Sequence, residues 1–67
     1  MSWFFDPVTS CWRYVGHNGE LFGRIERRER TFHWIAYSIP ICDGFMESLE
    51  NSKAVVEKVV MGMRKGY

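Results

Sequence analysis

Residues 11–25 read CWRYVGHNGELFGRI, and this stretch carries the clearest folding signal in the chain. Its first five residues are aromatic or β-branched for the most part, which is typical of a β-strand. The pair Asn18 and Gly19 supplies the positive φ angles that a tight hairpin turn requires. A second strand begins at Leu21 and is expected to run to Glu29. The stretch therefore predicts an antiparallel β-hairpin.

The alternation along the second strand assigns its two faces. Leu21, Gly23 and Ile25 fall on one face, which we predict to be the core face. The other face combines an aromatic ring with charged side chains, so we expect it to lie against solvent. Its members are Phe22, Arg24, Glu26 and Arg28.

A third strand is predicted over residues 32–39, and it is apolar on both faces. Strands of this kind usually lie in the centre of a sheet or are covered on both sides. The pattern leaves open which set of side chains is buried. The two alternatives are Phe32 with Trp34, and His33 with Tyr37.

The chain on either side of these strands is less regular. Pro40 ends the third strand because proline lacks a backbone N–H. The pair Asp43-Gly44 indicates another turn, after which Phe45-Met46 can form a short fourth strand. Residues 1–10 are interrupted by Pro7, so we expect them to form either a short edge strand or an arm that packs on the body.

The last third of the chain predicts one amphipathic helix over residues 48–65. Ser48 suits the N-cap position, and Glu50 in the first turn is favoured by the helix dipole. Gly66 suits the C-terminal stop. Apolar side chains recur at helical spacing along one arc of this helix. They are Leu49, Val55, Val56, Val59, Val60 and Met63.

Three or four strands followed by one helix predict a small α+β domain, in the order β-β-β-(β)-α. With 67 residues, the chain has room for one domain only. We expect an antiparallel meander sheet packed on one C-terminal helix. The parts are an arm or edge strand at 1–10, a sheet at 11–46 and a helix at 48–65.

Composition and spacing argue against several classes of protein. A net charge of +1 with 46% hydrophobic residues is unlike a disordered or strongly basic chain. The cysteines and histidines have spacings that match no zinc pattern, and two cysteines fit free thiols better than a disulfide scaffold. We therefore predict no metal and no cofactor. The residues concerned are Cys11, Cys42, His17 and His33.

Neither a membrane protein nor an enzyme is expected. No apolar run approaches the roughly 20 residues of a membrane helix, and the N-terminus lacks a signal-peptide pattern, so a cytoplasmic location is predicted. A two-layer domain of this size leaves little volume for a pocket with converging groups. The sequence also lacks a Gly-rich phosphate loop, a His-Glu-x-x-His motif and a Gly-x-Ser-x-Gly motif.

The aromatic content predicts an exposed binding surface. Three Trp, three Tyr and five Phe are more than one sheet–helix layer covers, so the surplus lies under the N-terminal arm, in a dimer or on a binding face. Arginine beside aromatic rings is typical of protein-binding hot spots and of nucleic-acid contacts, while cross-strand ion pairs that bind nothing are the structural alternative. The predicted partner-binding residues are Phe22, Arg24, Arg28, Trp34 and Tyr37.

The order of strands and helix resembles the AP2-type domain and the arm-binding domain of tyrosine recombinases, on segments 12–14, 23–27 and 48–54. That resemblance implies a sheet laid into the DNA major groove through Arg and Trp. Glu26 and Glu29 stand where such a sheet would carry cations.

The size, the Trp-rich strands and the Ser-Leu-Glu helix start also resemble small single-domain proteins of phages and other mobile elements. This resemblance implies a non-enzymatic module that binds and modulates a host protein, which we predict to occur through the open sheet face. The alternatives are a DNA- or RNA-binding domain using the same face, and a structural homodimer. The homodimer would form through Trp3, Phe4 and Phe5.

Overall fold

The computed structural model describes residues 1–64, which form five strands and one helix. The elements are β1 (Ser2–Asp6), β2 (Cys11–Val15), β3 (Leu21–Arg27), β4 (Phe32–Ala36), β5 (Cys42–Met46) and α1 (Leu49–Arg64). Lys65 and Gly66, which the sequence pattern places at the helix end and stop, lie outside the described residues.

The five strands form one antiparallel meander in chain order, β1-β2-β3-β4-β5. An α+β plan with one C-terminal helix is thereby confirmed, while the predicted count of three or four strands is too low. One added strand is β1, which pairs with β2 along its whole length as an edge strand. The N-terminal residues therefore extend the sheet sideways.

The other difference lies at β5. The turn predicted at Asp43-Gly44 is wrong, because both residues pair with β4 inside a five-residue strand. The connection lies earlier, since β4 ends at Ala36 and not at Ile39. The segment between the two strands contains the cis peptide bond between Ile39 and Pro40.

The predicted β2–β3 hairpin is present, and Gly19 in its turn has a φ of 80°. The pairing register shifts between Tyr14 and Val15, since Val15 pairs with Leu21 and Tyr14 with Gly23, so Phe22 is the extra residue of β3 at this point. Such a β-bulge interrupts the strict alternation of side chains between the two faces.

The hydrophobic core lies between the sheet and α1, which packs against β3, β4 and β5. Gly23 allows a close approach, since a Cβ at that position would lie 2.4 Å from Cγ1 of Val56. Burying one aliphatic side chain stabilises a fold by about 1.5–3 kcal/mol. The buried core cluster consists of Tyr14, Ile25, Val56 and Val60.

Trp3 links the edge strand β1 to the helix. Its ring stacks on Tyr14 with the ring centroids 4.7 Å apart, and its Nε1–H donates to the Glu57 carboxylate of α1 at 2.8 Å. These contacts hold Trp3 within its own chain. Of the residues predicted for a homodimer, Phe4 and Phe5 are the exposed ones.

The helix begins as its sequence predicts. The Asn51 N–H donates to Ser48 Oγ at 3.1 Å, so Ser48 is the N-cap.

Cys11 and Cys42 are both free, the first buried and the second half-buried. Within residues 1–64, no helix combines the length and apolarity needed to cross a membrane.

Candidate functional site on the open sheet face

The sheet face opposite α1 carries two cross-strand rows of side chains. Side chains alternate between faces along a strand, so the pairing register shows which residues share a row. One row is Phe4, Arg13, Arg24, Ile35 and Asp43, and the other is Asp6, Cys11, Glu26, His33 and Phe45. We call these ten residues the open face. Because β1 lies beside β2 and not above it, the first strand leaves this face uncovered.

Glu26 is the centre of a charged network on the open face. Its Oε2 lies 2.7 Å from Nη2 of Arg24, and its Oε1 lies 2.8 Å from Nη2 of Arg28. Both arginines are at least one-third exposed, so each pair is expected to contribute no more than about 1 kcal/mol. The network therefore orients the guanidinium groups more than it stabilises the fold.

His33 joins this network to the β5 edge. Its Nε2 lies 2.8 Å from Oδ2 of Asp43, and its ring stacks on Phe45 with the centroids 4.7 Å apart. Its Nδ1 lies 3.8 Å from Oε1 of Glu26, which is too long for a hydrogen bond. That nitrogen is buried and has no hydrogen-bond partner among residues 1–64.

Asp6 and Arg13 form the corresponding ion pair at the β1 edge, with Oδ2 and Nη2 3.2 Å apart. The Val8 N–H donates to Oδ1 of Asp6 at 3.0 Å. This bond is the main cause that lowers the pKa of the Asp6 carboxyl, and Thr9 and Arg13 lower it further. The carboxylate is therefore ionised at neutral pH and available to Arg13.

The charges of this surface balance. Including Arg28 beside Glu26, three arginines stand against three carboxylates: Arg13, Arg24 and Arg28, and Asp6, Glu26 and Asp43. Exposed rings border the balanced centre, with Phe4 at 59% exposure on β1 and Phe45 at 62% on β5. Four strand spacings, about 19 Å, separate these two edges.

Two of the predicted partner-binding residues, Arg24 and Arg28, lie together on this surface through Glu26. Trp34 does not, because it pairs with Ile25 on the helix side of the sheet and packs against the core. The position of Trp34 therefore decides which side chains of β4 face the helix. His33 and Ile35 face away from the helix, and Trp34 faces towards it.

The other two predicted residues lie near the β-bulge. Phe22 packs against the core cluster, so its predicted exposed position is wrong. The physical reason is the bulge, which breaks the alternation that the prediction used. Tyr37 is half-buried just beyond the end of β4, and its N–H donates to the Phe22 carbonyl at 3.0 Å.

Several members of the open face were not identified from the sequence. Phe45 and Asp43 were hidden by the turn signal of Asp43-Gly44, although Cys42–Met46 is a strand. Arg13 could have been found, because it alternates with the buried Tyr14 on β2. Phe4 was predicted only as a dimer contact.

No protein-family model matches this chain, and no curated protein or solved structure matches it either. The function is therefore inferred from the geometry of the open face.

Proposed function

We propose that this chain is a small non-enzymatic module that binds a protein partner through its open face. The observation that carries the proposal is a charge-balanced centre bordered by the exposed rings of Phe4 and Phe45. Protein interfaces are enriched in aromatic residues and arginine, with energy concentrated in a few such side chains. Nucleic-acid surfaces instead carry uncompensated cations that replace phosphate counterions.

The open face is smaller than the surface that one partner buries in a standard protein–protein interface. Five strands span about 24 Å across, and a five-residue strand runs about 17 Å, which gives an area of roughly 400 Å². A standard interface buries about 800 Å² on each partner. The partner would therefore also contact the edges of the sheet, where Phe5 and Ile41 are exposed, or bind transiently.

The partner that we propose is a host protein. The resemblance to small mobile-element proteins supports a host protein as the partner and modulation of that protein as the outcome. When a partner binds the open face, the rings of Phe4 and Phe45 cover part of the partner's surface. That part can then no longer contact other molecules. Binding alone is sufficient for such an effect, so no catalytic group is required.

The proposal is tested by affinity capture from nuclease-treated lysate of the source cells. Phe45→Ser should reduce the amount of captured partner at least about tenfold, since an aromatic hot-spot side chain contributes about 1.4 kcal/mol or more. The matched control is Ile39→Ser, because Ile39 is 95% exposed in the β4–β5 connection and lies off the open face.

Circular dichroism must show that both variants remain folded. Equal losses for Phe45→Ser and Ile39→Ser would show general stickiness and contradict the proposal. Capture that disappears after nuclease treatment would support the nucleic-acid alternative instead.

A further inference from the structure

A depression of about 360 Å³ opens at one end of the open face. The turn between β1 and β2 borders it with Thr9 and Ser10, and β2 with Cys11. The residues of β3 and its extension that border it are Arg24, Glu26, Arg27 and Arg28. It lies at the β2–β3 part of the row that contains Cys11 and Glu26, two strands away from Phe45 at the β5 end of the same row.

The charge around this depression is not balanced, unlike that of the open face as a whole. Glu26 already pairs with both Arg24 and Arg28. Arg27 also borders the depression, but it alternates with these residues along β3 and pairs with Phe32, so its side chain lies on the helix side. On the open face the lining thus holds two guanidinium groups and one carboxylate, a surplus of one positive charge.

The arginines also have donors to spare. A guanidinium group has five N–H donors, and the contacts with Glu26 use one terminal nitrogen of Arg24 and one of Arg28. The Nε–H of Arg24 is buried without an acceptor in the described part of the chain. A buried donor without a partner is unfavourable. The Arg24 side chain can therefore turn its Nε–H towards a bound anion without losing a hydrogen bond made by that N–H.

We infer that this depression binds a phosphate monoester, carried by a phosphorylated side chain of the protein partner. The inference rests on the proposed function. A phosphate monoester at pH 7.5 is a dianion with three acceptor oxygens, and arginine forks bind phosphate through paired hydrogen bonds. A carboxylate has one charge and two acceptor oxygens, so it can satisfy fewer of the spare donors. A nucleic-acid backbone requires a run of cationic sites, whereas the remainder of the open face is balanced.

The test is a titration of the ¹⁵N-labelled full chain with methyl phosphate at pH 7.5 and constant ionic strength, followed by amide chemical shifts. We expect saturable shifts concentrated in residues 9–11 and 24–28, with affinity at least about fivefold higher than for acetate. Arg28→Gln should weaken methyl phosphate binding by at least about threefold. Arg30→Gln, an equal loss of charge at an exposed arginine outside the lining, should not.

The inference is overturned if the shifts do not saturate, if acetate binds equally well, or if Arg28→Gln and Arg30→Gln have equal effects. Phe45→Ser should bind methyl phosphate like the wild type, which separates this site from the proposed face. If methyl phosphate does not bind but Phe45-dependent capture is observed, this inference is wrong and the proposed function still holds. If methyl phosphate binds but no protein is captured, the chain has an anion site and the proposed protein partner is wrong.

Discussion

Gly23 determines how closely α1 can approach the sheet. The missing side chain leaves room for Val56, which is fully buried, and for the Ile35 carbonyl of the next strand. A Cβ at this position would lie 2.4 Å from Val56 Cγ1 and 3.1 Å from that carbonyl oxygen. Since one of these neighbours is backbone, the clash cannot be relieved by a side-chain rotation alone.

We expect Gly23→Ala to lower the free energy of unfolding by about 1–3 kcal/mol, the usual cost of overpacking a core. The helix would have to move away from β3, because Val56 is fully buried and protein cores are close-packed. Urea denaturation followed by tryptophan fluorescence measures this change.

The matched control is Gly62→Ala on α1. A Cβ at Gly62 meets no atom within 4 Å, so the substitution should stabilise the helix by up to about 1 kcal/mol. If both alanine variants shift the denaturation midpoint in the same direction, the close approach at Gly23 is not what limits packing.

Among the elements, α1 depends on its N-cap and on the sheet together. Valine is a poor intrinsic helix former, and the fully buried apolar residues of α1 within 49–62 are Val56 and Val60. The cap contributes one local bond, from the Asn51 N–H to Ser48 Oγ, and the Ser52 N–H donates to the Ser48 carbonyl at 3.0 Å.

Ser48→Ala removes the cap acceptor and should cost about 1 kcal/mol of stability. Ser48→Asp keeps an acceptor and adds a negative charge at the positive end of the helix dipole, so it should retain the wild-type stability or exceed it. Thermal unfolding of the three proteins measures the difference. Equal destabilisation by alanine and aspartate would show that the hydroxyl bond of Ser48 is not the stabilising contact.

The strand β5 illustrates why an element can be assigned wrongly from its sequence. Asp-Gly is a strong turn signal, but Gly44 has another role here. A Cβ at Gly44 would lie 2.9 Å from Cζ2 of Trp34, so the glycine makes room for the indole of the paired strand. A glycine required for packing and a glycine required for a turn look identical in a single sequence.

For the whole molecule, the distribution of charge favours a protein partner over nucleic acid. The net charge is +1, and the ion pairs on the open face leave its arginines compensated. On the sheet and its turns, the arginines without an ion pair among residues 1–64 are Arg27 and Arg30, at the end of β3 and in the β3–β4 turn, which is too small a region to follow a phosphate backbone.

We therefore expect no mobility shift of labelled duplex DNA at 150 mM salt and micromolar protein. Affinity that appears only at low salt should fall steeply as salt is added, because counterion release then supplies all of the binding. A specific shift at 150 mM salt that Arg24→Ala or Arg28→Ala abolishes would contradict the protein-partner proposal and support the nucleic-acid alternative.

Local patterns in the chain are sufficient for the β2–β3 hairpin, the helix and its Ser48 cap, because each depends on neighbours within a few residues. They are also sufficient for the α+β plan. The face of β4 that is buried, the strand at Cys42–Met46 and the surroundings of Phe22 were settled only by the tertiary structure. The physical reason is that cross-strand register and bulges connect residues far apart in the chain, so the pairing of Ile25 with Trp34 sends that indole to the helix side.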